Sequence, residues 1–154
     1  MDADVDEGAK VRHVRDHAFQ PHPWHDMLRA LAQNGGLLGA AYYAGMLDDD
    51  FRGRMSQELW KIETAGVELI GQVPMSRLVD HIEHAATVAG IDHVGLGCDY
   101  DSVGLKVPEG LEHIGKTPNL IAALKDRGFS DADVANIMGG NALRVMQQAE
   151  AISG

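Results

Sequence analysis

One acidic side chain stands where a carboxylate could work on water. Asp99 ends the run His93-Val94-Gly95-Leu96-Gly97-Cys98-Asp99, a short segment of apolar and small residues. The C-terminal end of a buried strand is the edge at which α/β folds display catalytic groups. Beside a metal ion, which lowers the pKa of its bound water to about 7, a carboxylate there accepts a proton. The competing role is local, because Asp often closes the turn that follows a strand. Eight histidines raise a second question. His13, His17, His22 and His25 fall in a polar, proline-containing stretch, and His81 and His84 lie three apart in a helical pattern. That spacing can bring two imidazoles to one ion. The same pattern turns its apolar residues inward and leaves 81 and 84 near its edge, so a surface role is expected for this pair. The N-terminal four could bind adventitious metal weakly, but no supporting pattern of partner residues is readable around them, so no metal site is expected there. The one cysteine, Cys98, alternates with Asp99 across the strand and is expected to be buried and inert. Gly95-x-Gly97 and Gly139-Gly140 match no phosphate-loop fingerprint, and the first reads instead as close packing within a sheet.

The elements that must position these residues follow from periodicity. Prolines 21 and 23 favour an extended entry, after which Met27, Leu28, Leu31 and Ala32 recur at helical spacing and Asn34-Gly35-Gly36 supplies a stop. Leu37–Tyr43 is a continuous apolar run and reads as a strand buried on both faces, with a short buried helix as the alternative. A weakly amphipathic helical pattern covers 55–65. Pro74 sits at the first turn of a stronger helix, on which Leu78, Ile82, Ala85, Ala86 and Ala89 share one face; Gly90 ends it, and the 93–99 strand follows. A long loop fills 100–118. Helices are expected over 119–127, from a Ser130–Asp133 capping box, and from an Asn141 cap to about Ala149, with Gly139-Gly140 interrupting. Trp24 and Trp60 read as packing residues. The order is α/β, with residues 1–20 a polar N-terminal segment and 21–154 the folded domain.

Composition sets the outer bounds. The chain has 154 residues, 45% hydrophobic and 23% charged, which suits one domain with a single core and excludes wholesale disorder. Acidic residues number 23 against 13 basic, a formal charge of −10. A surface of that sign repels phosphate backbones, so nucleic acid is not an expected partner. No apolar run is long enough to span a bilayer. The opening MDADVDEGAK is acidic where a secretory leader is basic and then apolar, so a cytoplasmic location is expected.

Residues 80–145 carry a resemblance. DHIEHAATVAGIDHVGLGCDYDSV, followed by VPEGLEHIGKTPNLIAALKDRGFSDADVANIMGGNALRVM, resembles the C-terminal part of the renal (membrane) dipeptidase family, and HDMLRALAQNGGLLGAAYYAGML is similar to the segment that precedes it. The resemblance implies a zinc-dependent dipeptidase on a (βα)₈ barrel. Such a barrel takes about 250 residues, so this chain is expected to hold the last part of one, about three parallel strands with helices outside. The implied substrate is a dipeptide.

The resemblance also implies which site residues to seek. The family places Gly-x-Asp-Phe-Asp-Gly at the end of its last barrel strand, where the first Asp acts on the water nucleophile and the leaving group; Gly97-Cys98-Asp99-Tyr100-Asp101-Ser102 matches it, with Tyr100 for Phe and Ser102 for the final Gly. The binuclear zinc site draws its His-x-Asp pair and bridging Glu from earlier strands, which this chain does not match. Its last histidine normally sits in Ser-His-Ser, shortly before His-Pro-Arg-Asn. Here the region reads KVRHVRDHAFQPHPW, with Trp24 at the arginine position, and His13, His17 and His22 are the candidate stand-ins. Two functions follow as expectations: a metallodipeptidase that shows little or no turnover as an isolated chain, or a non-catalytic barrel fragment that binds or self-associates as a homo-oligomer.

Overall fold

A computed structural model of the chain describes residues 23–54, 72–100 and 106–153. The helical pattern at 55–65, Trp60, Ser102, the polar 1–20 segment, and His13, His17 and His22 lie outside the described residues. Chain order begins with α1 (Pro23–Gln33), β1 (Leu38–Ala41), the short α2 (Ala44–Leu47) and a helical turn over 49–54. It continues through α3 (Met75–Ala89), a 3₁₀ turn (Ile91–His93) and β2 (Val94–Gly97). A second 3₁₀ turn (Ile114–Lys116) then leads into α4 (Thr117–Asp126), α5 (Asp131–Ala135), a π turn (Asn136–Gly140) and α6 (Asn141–Ser153).

β1 and β2 pair in parallel, Leu38 opposite Val94 and Ala41 opposite Gly97. The described sheet therefore has two strands where about three are expected. A further extended contact, a single parallel bridge between Pro74 and Glu109, does not grow into a strand, since Pro74 has no N–H to donate and opens α3 instead. The glycines in the strands serve close approach: a Cβ on Gly97 would lie 3.2 Å from the Gly39 carbonyl oxygen. β1 is not buried on both faces. Ala40 is buried but Gly39 is exposed, because the described helices cover one face of a two-stranded ribbon.

α3 is the central support. Leu78, Val79, Ile82 and Ala85 are buried on one face, and full burial of one such Leu or Ile is worth about 1.5–3 kcal/mol. They join Leu120 and Leu124 of α4, Val134, Ile137, Val94, Tyr42 and Phe51 in one core. Gly90, at φ 93°, ends α3 in backbone that other residues rarely adopt. α1 starts at Pro23 itself, a position where the missing N–H costs nothing. Trp24 is 63% exposed.

The helix starts divide. Ser130 caps α5 reciprocally with Asp133, the Ser130 hydroxyl accepting from the Asp133 N–H and the Asp133 carboxylate accepting from the Ser130 N–H. Asn141 does not cap α6. It is buried, and its amide donates to the carbonyls of Ile91 and Val94 at 2.8 Å each. Gly139-Gly140 interrupts the helical path as expected: Gly139 takes non-helical backbone, φ 163° and ψ −20°, and kinks the chain between α5 and α6.

Candidate functional site

The two ends of the strand pair differ in chemistry. At the N-terminal end, polar groups are used for tethering. His93 Nδ1 lies 2.8 Å from the Gly36 carbonyl oxygen. Arg144 of α6 donates to the carbonyls of Gly35, at 3.1 Å, and Asp92, at 2.8 Å. Together with Asn141 these bonds fix the segments that enter β1 and β2.

The C-terminal end carries a different set of polar groups. Tyr42 and Tyr43 follow β1, and Cys98, Asp99 and Tyr100 follow β2. Asp99 is exposed, and its φ of 54° makes it the one non-glycine residue with positive φ among the described residues. Asp tolerates this left-handed region better than most side chains, because its short polar group bonds locally. Strain of this kind clusters at functional sites.

Tyr42 and Tyr100 pack edge to face, ring centroids 5.6 Å apart. Both phenol oxygens are buried without a hydrogen-bond partner among the described residues. Burial raises the Tyr42 pKa, with the neighbouring Cys98 thiol adding to the effect. Burial also raises that of Tyr100, with Cys98 and the Glu112 carboxylate contributing. Both phenols therefore stay neutral hydrogen-bond donors at physiological pH. Cys98 is half-buried and packs against the core.

Sequence reasoning singled out Asp99 and passed over this tyrosine pair. The available signal was an aromatic residue shortly after each strand, Tyr42 next to β1 and Tyr100 three residues past the end of β2. Two grooves occur elsewhere among the described residues. One, of about 290 Å³, is lined by Glu83, Ile91, Arg127, Phe129 and Asp133; the other, of about 250 Å³, by Met75, Val79, Ala123 and Arg127. Neither is lined by Asp99 or by residues 106–118.

The histidines are arranged differently from expectation. His81 is exposed, its Nε2 3.3 Å from the Leu47 carbonyl oxygen. His84 is half-buried and meets His25 of α1, which is only 4% exposed. A surface role for His84 and a merely polar setting for His25 are thus both corrected. The docking of α1 against α3 brings them together, a long-range contact that helical spacing does not encode. No group of three or more His, Cys, Asp or Glu side chains among the described residues could hold a metal ion. Taken alone, they do not fit a two-zinc centre.

A parallel strand pair with helices packed on it, and with an exposed carboxylate and two buried phenols at the strands' C-terminal ends, places the chain in the α/β class. The comparisons narrow that class. The family model for membrane dipeptidase (peptidase family M19) matches residues 11–154, and the chain belongs to that family. It is 33% identical over 143 residues to dipeptidase tcpJ of Claviceps purpurea, covering 93% of this chain, and 35% identical over 130 residues to dipeptidase ataJ of Aspergillus terreus, covering 83%. It spans 27% of the length of each of these relatives. A solved structure of dipeptidase AC, a metallopeptidase of family M19, superposes with a TM-score of 0.60 at 22% identity, over 76% of this chain and 29% of that one. That likeness supports the fold. No described helix is long and apolar enough to cross a membrane.

Proposed function

We propose that this chain is the C-terminal portion of a zinc-dependent dipeptidase barrel and that Asp99 is its catalytic carboxylate. The supporting observation is the position of Asp99: directly after β2, exposed, at φ 54°, in a chain of the M19 family. Zinc, when bound in such an enzyme, supplies an activated water. The role of Asp99 is proton handling. Its carboxylate takes a proton as a water oxygen bonds to the amide carbon and returns it to the nitrogen as the C–N bond breaks, so that one dipeptide and one water give two amino acids. Tyr42 and Tyr100, neutral donors at the same edge, are placed to support the polar groups of that site. The described residues gather no donor set of three or more, so the isolated chain is expected to turn over dipeptides poorly or not at all.

Transplanting residues 23–153 in place of the matching segment of an active family dipeptidase tests the role of Asp99. Asp99→Asn retains a side chain tolerated in left-handed backbone, so the substitution isolates the chemistry from the fold. Hydrolysis should fall by about 10²-fold or more, the scale of lost general acid–base catalysis. An Asn variant as fast as the Asp parent would sink the proposal.

A further inference from the structure

The His25–His84 contact lies outside the strand-end group and shares no residue with it. His25 Nε2 and His84 Nε2 are 3.0 Å apart, with ring centroids separated by 5.0 Å. His25 occupies the first turn of α1 and His84 the third turn of α3. Both helices are long enough to hold their side chains in fixed directions. The pair is well shielded, with His25 4% exposed.

Two neutral imidazoles so placed can share one hydrogen bond, in which one Nε2–H donates and the other Nε2 accepts. The same geometry serves a second purpose. An ion at about 2.0–2.1 Å from each nitrogen, the distance of zinc–imidazole bonds, subtends an angle of about 95° when the nitrogens are 3.0 Å apart. Opening this to the tetrahedral angle requires about 0.3 Å more separation, within the reach of small side-chain rotations. The donor type selects the metal, since imidazole suits zinc, copper and nickel over calcium or magnesium.

We infer that His25 and His84 form a two-histidine site for a divalent transition metal, here zinc, that clips α1 onto α3. Binding requires the proton on the donating Nε2 to move to Nδ1 of the same ring, exchanged through solvent, so that both Nε2 lone pairs reach the ion. No bond to carbon changes and no redox step is involved. Water completes the coordination that two protein ligands leave open. The ion's effect is structural: it holds the first described helix against the central one, and its binding free energy adds to folding free energy.

The test titrates Zn²⁺ into the full chain and follows the imidazole nitrogens by two-dimensional ¹H–¹⁵N NMR. Both Nε2 resonances, those of His25 and His84, should move together and saturate with one equivalent. The melting temperature should rise with zinc and fall back on chelation. His84→Gln and His25→Gln should each weaken this site by tenfold or more, whereas exposed His113→Gln should leave it within twofold. Unmoved His25 and His84 nitrogens while zinc occupies other histidines would overturn the inference, as would unchanged affinity in both variants. The spectra of the unsubstituted chain decide the matter even if the His25 variant fails to fold. Asp99→Asn should leave zinc binding here unchanged, so failure of this site and failure of the dipeptidase reading are separate results.

Discussion

Asp99 holds a backbone conformation that most side chains avoid, and it does so at the strand end where chemistry is expected. If the conformation is imposed by the fold, Asp99→Gly should leave stability unchanged or raise it slightly. Asp99→Val should cost about 1–2 kcal/mol, the penalty of left-handed backbone for an ordinary L-residue. Urea unfolding of the three proteins measures both; a Val variant as stable as the parent would mean that the turn relaxes freely. Tyr42 makes a second residue-level case. Its hydroxyl is buried with no partner among the described residues, so Tyr42→Phe should be neutral or stabilising by up to about 1 kcal/mol. A loss of more than that would reveal a partner for the phenol. Asp99 was legible in the sequence because strand, carboxylate and family motif coincide in seven residues, His93 to Asp99. Neither Tyr42–Tyr100 nor His25–His84 was legible, since each joins side chains 58 or 59 positions apart through tertiary packing.

Among the elements, α6 and α5 show opposite uses of helix-start chemistry. Asn141 reads as a cap because Asn caps helices well, yet its amide is spent on two carbonyls of the chain entering β2. Asn141→Ala would leave those acceptors without their donor, with a cost of about 1–3 kcal/mol per buried group. Unfolding by urea should show a loss at the upper end of that range; an unchanged midpoint would remove Asn141 from the account. The Ser130–Asp133 box was legible because both halves of it are local. The Asp133 carboxyl is held below the ordinary carboxylate range, chiefly by the Ser130 hydroxyl and then by its N–H. The sign follows from linkage: a depressed folded pKa contributes stability that is fully present above the unfolded value of about 3.9. It is lost as pH falls through the lower folded value. Amide protection factors in 131–135, which correct exchange rates for their intrinsic pH dependence, should therefore be flat between pH 5 and 7 and fall only in stronger acid. A fall in protection already near pH 6 would contradict this assignment. Helix boundaries were legible to within a few residues wherever Gly or Pro marks them, as at Pro74 and Gly90. The interruption at Gly139-Gly140 was legible for the same reason, since Gly139 leaves helical backbone there and kinks the chain.

At the scale of the whole molecule, the described strand pair is open at both outer edges, and Met27 of α1 and Met146 of α6 are each 59% exposed. Unpaired strand edges and exposed apolar side chains favour association. The purified chain is therefore expected to sediment with a mass above 16.6 kDa; a single monomeric species across the micromolar range would contradict that. The family and the α/β class were legible because the matching segments are long and contiguous. The number of strands was not, because the sequence offers two clear apolar runs and the barrel implies more. The proposal on which the rest depends is that Asp99 is the catalytic carboxylate of a dipeptidase site in this M19-family chain, whose described residues gather no set of three or more metal-ligating side chains. Its most direct test is dipeptide hydrolysis by the purified, zinc-supplemented chain beside its Asp99→Asn variant, followed by release of free amine. The account predicts rates indistinguishable from the zinc-only blank for both proteins. Turnover well above that blank and unchanged in Asp99→Asn would contradict it outright; turnover abolished in Asp99→Asn would keep the role of Asp99, overturn the expected inactivity of the isolated chain and make His13, His17 and His22 the first ligands to substitute.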